Sequence, residues 1–404
     1  MRAMPMNAGR GQAPMESDKF GFADQEISDR ARAGRLRRTR PLSPVSATEV
    51  SENGRTLVNF CSNDYLGLSK HPEVAARAAD YALRYGAGST ASRLVCGSFS
   101  PVEDLERKLA KRKGTERALV MNSGFQANLT LIPALADRDS LIVSDALNHN
   151  SLILGARLAR CRVAVAPHND PPAIRAILEK TRGQHSRTLV LTESVFSMDG
   201  DVADIPALAA LAREFSAILV VDEAHATGVL GPGGMGLCPG RDVDVAMGTF
   251  GKALGGFGAY VACPARVADF LVNRCAGFIY STALPPAVIG AADAALDVAG
   301  RMDLERAGLL EKSEFLRREL RGLGYDTGAS ATQIIPVIVG SEARAMDLAA
   351  HLERNGMMAV GIRPPTVPPG LSRVRLSLSA AHTWDQVRNL AAAFASWEGR
   401  GAAS

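Results

Sequence analysis

The run Asp244-Val-Ala-Met-Gly-Thr-Phe-Gly-Lys-Ala-Leu-Gly-Gly-Phe-Gly258 sets one lysine where an apolar segment breaks into a glycine-rich loop. Lys252 is also the only lysine between Lys180 and Lys312, in a chain that otherwise favours arginine. Standing alone, a lysine after an apolar run reads as a solvated loop residue. Its surroundings change that reading. Outward in both directions, short apolar runs recur at 118–121, 141–144, 162–166, 188–192, 218–222, 243–248 and 258–262. Several are rich in β-branched residues, as strands buried on both faces are. Stretches with helical periodicity, such as 205–215, lie between them. This alternation predicts an α/β domain built on a mostly parallel seven-stranded sheet with helices on both faces.

At 404 residues the chain exceeds one small core, so a large domain plus a smaller one is expected. The expected boundaries are an N-terminal tail, helix and short strand over 1–60, a large α/β domain over 61–288, and a small α+β domain over 289–404. Residues 1–20 read as a disordered tail, 24–40 as one basic helix, and 56–61 as a short strand. A long helix is expected from Pro286 onward, with strands near 333–339 and 373–379. The composition, 47% hydrophobic and 22% charged with a net charge of +4, is that of a soluble globular protein and gives no support to nucleic-acid binding. The six cysteines show no C-x-x-C spacing, which predicts reduced core thiols of a cytoplasmic protein and no metal site. No apolar stretch reads as a signal peptide or membrane span.

In open α/β sheets ligands bind at the carboxyl ends of the strands, and the polar residues cluster there: 122–124, 145–149, 193–201, 222–225 and 249–252. Ser123-Gly124-Phe125 opens a helix, and its free amides suit a phosphate, although many such turns are only turns. Asp222-Glu-Ala-His225 closes the strongest strand. Asp222 can face a pyridine nitrogen and keep it protonated, and His225 can reach a ring hydroxyl oxygen. The same letters suggest a helicase-type ATPase, but the required G-x-x-x-x-G-K-[ST] loop does not occur. His149 can stack on a flat ring or simply cap a helix. Ser197 offers a hydroxyl near the same crevice. Arg363, Thr366 and Arg375 lie in the C-terminal region. Arg375 alternates with apolar Val374 and Leu376, which leaves its guanidinium few expected partners and suits it to a carboxylate. A lysine amine among these groups can condense with a phosphate-bearing aldehyde, the chemistry of pyridoxal phosphate.

Ser-Asn-Asp-Tyr-Leu-Gly-Leu (62–68), Phe-Ser-Met-Asp-Gly-Asp (196–201), Asp-Glu-Ala-His-Ala-Thr-Gly (222–228), Thr-Phe-Gly-Lys (249–252) and Tyr-Ser-Thr-Ala-Leu-Pro-Pro (280–286) occur in this order. Together they resemble the α-oxoamine synthase family of fold-type I pyridoxal phosphate enzymes over residues 25–400. The resemblance implies Lys252 as the Schiff-base lysine and catalytic base, Asp222 as the ring-nitrogen partner and His149 as the stacking residue. It assigns His225, Ser197 and Thr249 to the cofactor ring and its surroundings, and Gly124 and Phe125 to the phosphate. Thr282 would reach the partner subunit's phosphate, which implies a homodimer with shared sites. Arg375 would anchor the amino-acid carboxylate, with Arg37, Arg363 and Thr366 on the substrate side. Ile-Arg-Pro-Pro-Thr-Val-Pro (362–368) and Ala380-Ala-His382 most resemble the branch that condenses a pimeloyl thioester, on CoA or acyl-carrier protein, with L-alanine in biotin biosynthesis. Sister enzymes that take glycine or serine with another acyl-CoA are the alternative.

Overall fold

The computed structural model describes residues 18–401. The expected tail, 1–20, therefore lies almost wholly outside the described residues. An N-terminal unit ends at Arg40 and a large unit begins at Pro41. In the first, one helix spans Gly21–Arg32 and stops well short of residue 40. Gly34, at φ +65°, follows its end, a conformation that terminates helices. Arg37 consequently lies in a stretch without regular structure.

The large unit opens with three short antiparallel strands, β1 (Ser43–Pro44), β2 (Glu49–Glu52) and β3 (Arg55–Asn59). Only β3 was legible as a strand. The seven expected strands follow: β4 (Arg117–Met121), β5 (Leu141–Asp145), β6 (Arg162–Ala166), β7 (Thr188–Glu193), β8 (Ile218–Asp222), β9 (Val245–Thr249) and β10 (Ala259–Cys263). They form one sheet in the order β4-β10-β9-β8-β7-β5-β6. β10 alone runs against the rest, antiparallel to β4 and β9. Burial on both faces holds for β5, β7, β9 and β10 but not for β6. β6 is the sheet edge, and its Val165 is 64% exposed.

The helix expected from Pro286 is two helices, Pro286–Ala299 and Asp303–Gly322, separated by a turn at Gly300. Beyond them come β11 (Ile334–Gly340), β12 (Met357–Met358), β13 (Val360–Ile362) and β14 (Ser372–Ser377). β11, β14 and β13 make a three-stranded antiparallel sheet. β12 instead pairs parallel with β3, so the two ends of the large unit share a sheet. One buried apolar cluster runs from Phe60 and Tyr65 through Phe250 and Tyr260 to Ile335 and Phe394. It holds β14 against the carboxyl ends of the central strands. The cysteines only half fit the expected core placement: Cys238, Cys263 and Cys275 are buried, Cys61 and Cys161 are half-buried, and Cys96 is exposed.

Candidate active site

Lys252 sits in the turn from β9 to β10, the one antiparallel return beside the parallel strands. The glycines around it serve the turn itself. Gly255 has φ +64°, and a Cβ there would lie 2.2 Å from the Ser69 nitrogen. Gly258, at φ +102°, closes the loop. The Lys252 amine lies 2.7 Å from His225 Nε2. Burial is the main influence on that amine and lowers its pKa, against the opposing pull of the Asp222 and Glu193 carboxylates, to about 8. A sizeable neutral fraction near physiological pH follows, as a nucleophile or base requires.

Asp222 ends β8 and is buried. One carboxylate oxygen accepts from Asn128 Nδ2 at 2.7 Å and the other from the Ala224 N–H at 2.8 Å, which fixes its orientation. Asn128 lies in the helix Gly124–Leu135, so that helix carries two functions at once. Its first turn, capped by the Ser123 hydroxyl, presents the amides of Gly124 and Phe125 ahead of the hydrogen-bonded turns. Among the two readings of His149, capping is realised: Nδ1 accepts from the Ser151 N–H at 3.2 Å. The same ring also lines the cavity with Lys252. Burial lowers its pKa, so the ring is neutral and free to lie against a flat ligand.

That cavity, of 290 Å³, is lined by Cys61, Asn63, His149, Ser197, Met198, His225, Lys252, Val360, Ile362 and Arg375. A larger cavity of 690 Å³ opens at the amino end of β9, beside Lys113 and Cys238. There the buried Lys113 amine is already taken by Glu223 and the Met235 carbonyl, both at 2.6 Å. The chemistry belongs to the smaller cavity. Arg375 lines it, but with more partners than its sequence neighbours suggested. Nε donates to the Ser197 carbonyl at 2.6 Å and Nη1 to the Ser377 hydroxyl at 2.7 Å, while both terminal nitrogens lie 3.3–3.4 Å from Asn63 Oδ1. The long Asn63 contacts leave the outer edge of the guanidinium as the part a carboxylate can claim.

Other expected residues are less directly placed. Thr249 donates its hydroxyl to the Gly258 carbonyl at 2.8 Å and accepts from the Gly251 N–H, so it shapes the lysine loop from within. Thr282 is exposed on the segment before the helix Pro286–Ala299, its carbonyl held by Asn122 Nδ2 at 2.8 Å. Arg363 and Thr366 follow Ile362 on the loop after β13 but are not among the cavity-lining side chains. Arg37 belongs to the N-terminal unit.

Several site residues escaped the sequence. Asn63 and Tyr65 were visible only as part of a motif. Glu193, fully enclosed at the end of β7, accepts the His149 N–H at 2.5 Å, and burial together with neighbouring Asp222 raises its pKa well above the carboxylate range. Glu193 and Asp222 pair across β7 and β8, so the polar strand end at 193 brings a second carboxylate beside Asp222. His168 bridges Asp145 and Asp201 at 2.9 Å each.

The model of the aminotransferase class I and II family matches residues 55–394. A Desulfosudis oleivorans protein, provisionally named an 8-amino-7-oxononanoate synthase, is 57% identical over 380 residues, covering 94% of this chain and 99% of its own. Serine palmitoyltransferase from Sphingomonas wittichii has a similar structure, with a TM-score of 0.89 at 30% identity over 95% of this chain and 99% of that one. A serine palmitoyltransferase structure containing PLP superposes with a TM-score of 0.86 at 26% identity, over 96% and 99% of the two chains.

Proposed function

Because the chain belongs to the aminotransferase class I and II family, in its α-oxoamine synthase branch, we propose that it condenses a pimeloyl thioester with L-alanine. The products would be 8-amino-7-oxononanoate, carbon dioxide and free thiol, in biotin biosynthesis. At the coarser level the chain is a pyridoxal phosphate-dependent acyltransferase. The observation that carries this is Lys252: a half-buried lysine with its amine pKa brought to about 8, in one cavity with His149, His225 and Arg375.

The donor set fits the cofactor. The Gly124 and Phe125 amides would hold its phosphate, Asp222 its ring nitrogen, His149 its ring face and Lys252 its aldehyde. Ser197 and His225 would serve its ring oxygen. When bound, the cofactor supplies an electron sink for the charge left by loss of the amino acid's α-proton. The chain's own residues do the rest. Lys252, in its neutral form, takes that proton at Cα and later returns one. Asp222, its orientation set by Asn128 and the Ala224 N–H, would present its carboxylate to the ring nitrogen. Arg375 would engage the amino-acid carboxylate, with Arg37, Arg363 and Thr366 proposed on the substrate side. Met198, Val360 and Ile362 give the cavity an apolar wall suited to an aliphatic acyl chain.

The same reading supports a homodimer in which Thr282 contributes to the partner's site. Tyr280, two residues before Thr282, and Val95, three residues after the Ser92 that bridges to Thr282, are 83% and 78% exposed, and exposed apolar side chains of that size brought together mark interaction surfaces. The structural neighbours favour a second reading, glycine or serine with a long acyl thioester. Mass spectrometry of products from alanine, glycine and serine, each paired with pimeloyl-CoA and palmitoyl-CoA, separates the two. The amino ketone from alanine and pimeloyl-CoA is expected as the dominant product. Dominant products from serine or palmitoyl-CoA would replace the first reading with the second.

A further inference from the structure

Tyr65 is fully buried, and its hydroxyl reaches both the arginine side and the lysine side of the site. The oxygen lies 2.6 Å from His225 Nδ1, 3.0 Å from Asn63 Oδ1 and 3.5 Å from Arg375 Nη2. Across the imidazole, Nε2 is 2.7 Å from Lys252 Nζ. Asn63, Tyr65, His225 and Lys252 thus form one hydrogen-bonded line from the carboxylate-binding arginine to the amine. Gln333 holds the His225 carbonyl at 2.9 Å and fixes where the ring hangs.

The direction of this line can be worked out from both ends. Arg375 can only donate, so the Asn63 atom facing it is the oxygen. That oxygen accepts the Tyr65 proton, which leaves the tyrosine oxygen to accept from His225. At the other end a protonated Lys252 can only donate, so His225 Nε2 must accept. A neutral imidazole with its proton on Nδ1 meets both demands. Burial holds His225 well below its ordinary pKa, which keeps it neutral. The other charged or titratable groups around the amine are Asp222, Glu193, His149 and Arg375. These act on it through space, whereas Tyr65 acts through the ring.

We propose that Tyr65 is a positioning residue for the reactive amine: its oxygen keeps the His225 proton on Nδ1, so that Nε2 faces Lys252 as an acceptor. Its contacts with Asn63 and Arg375 couple that setting to the arrival of a substrate carboxylate. Only the coupling rests on the function proposed above. Without the hydroxyl, Nδ1–H would be a buried donor lacking an acceptor, and the proton moves to Nε2. Nε2–H then donates to a neutral amine, so Lys252 loses its proton at lower pH.

Nitrogen-15 NMR of histidine-labelled, cofactor-free protein tests this, with His225→Asn assigning the ring signals. The expected result at neutral pH is an Nδ1–H tautomer in the unmodified protein and an Nε2–H tautomer in Tyr65→Phe. With it, the pH midpoint for condensation of Lys252 with added pyridoxal should shift downward. An Nε2–H tautomer in the unmodified protein overturns the proposal without any variant having to fold. So does an Nδ1–H tautomer that persists in folded Tyr65→Phe. Propionate, a carboxylate that cannot react, should move the His225 signals of the unmodified protein; binding that leaves them in place overturns the coupling. Failure of propionate to bind at all counts against Arg375 as the anchor, and the tautomer measurement still decides for or against Tyr65.

Discussion

At the scale of single residues, Arg375 makes the sharpest demand on the site. Its Nε and Nη1 are committed to Ser197 and Ser377, so the substrate carboxylate proposed to bind there would compete chiefly with the long Asn63 contacts. A charge-assisted contact of this kind contributes about 1.5–3 kcal/mol. Arg375→Ala should therefore weaken alanine binding about ten- to a hundred-fold. Arg375→Lys should recover only part of the loss, since an ammonium lacks the planar fork. Titrating alanine into the holoenzyme and following cofactor absorbance measures both. Loss of alanine affinity in Arg363→Ala with normal binding in Arg375→Ala would reverse the two roles. The residues at the ends of the central strands were legible because strand order and polarity both point to them: His149, His225 and Lys252 line one cavity, and buried Asp222 acts on the Lys252 amine. Asn63 and Tyr65 were not, because 312 residues separate Asn63 from Arg375 and nothing local in either segment announces the other. Thr249 shows the opposite error, a hydroxyl next to the lysine whose proton is spent inside its own loop.

At the scale of elements, His168 ties three connections together. Its two nitrogens meet buried Asp145 at the end of β5 and buried Asp201 beyond β7, so the segments carrying His149 and Ser197 share one half-buried clamp. Burial alone would lower the imidazole pKa, but the hydrogen bonds and charges of the two aspartates outweigh it and raise the value to about 10. A group raised in the folded state stabilises fully below its unfolded pKa, about 6.5, and loses that contribution as pH rises through the folded value. His168→Asn should thus lower the unfolding temperature most near pH 6, and the gap to the unmodified protein should narrow toward pH 10. Thermal unfolding followed by circular dichroism across that range checks it; a gap independent of pH would mean that the imidazole charge is not what matters. Element lengths also explain what the sequence hid. β12 and β13 hold two and three residues, too few for an alternating pattern to register. The break at Gly300 splits an otherwise continuous helical signal from Pro286 to Gly322, because a single glycine is tolerated in a helical pattern and marks an end only when the chain turns there.

At the scale of the whole molecule, the proposed homodimer makes a direct prediction. Light scattering of cofactor-loaded protein at micromolar concentration should give twice the chain mass of 42.7 kDa, and an active species of single mass would refute the shared site. The pairing of β3 with β12 bears on how the molecule comes into being. Ribosomes add about 5–20 residues per second, so on the order of 15–60 s pass between the emergence of Asn63 and that of Arg375. Through its last 123 residues, about 6–25 s at that rate, Lys252 can already be on a formed sheet while the proposed carboxylate anchor has yet to be synthesised. A prematurely terminated chain that ends before β14 would therefore carry the amine without the proposed carboxylate anchor.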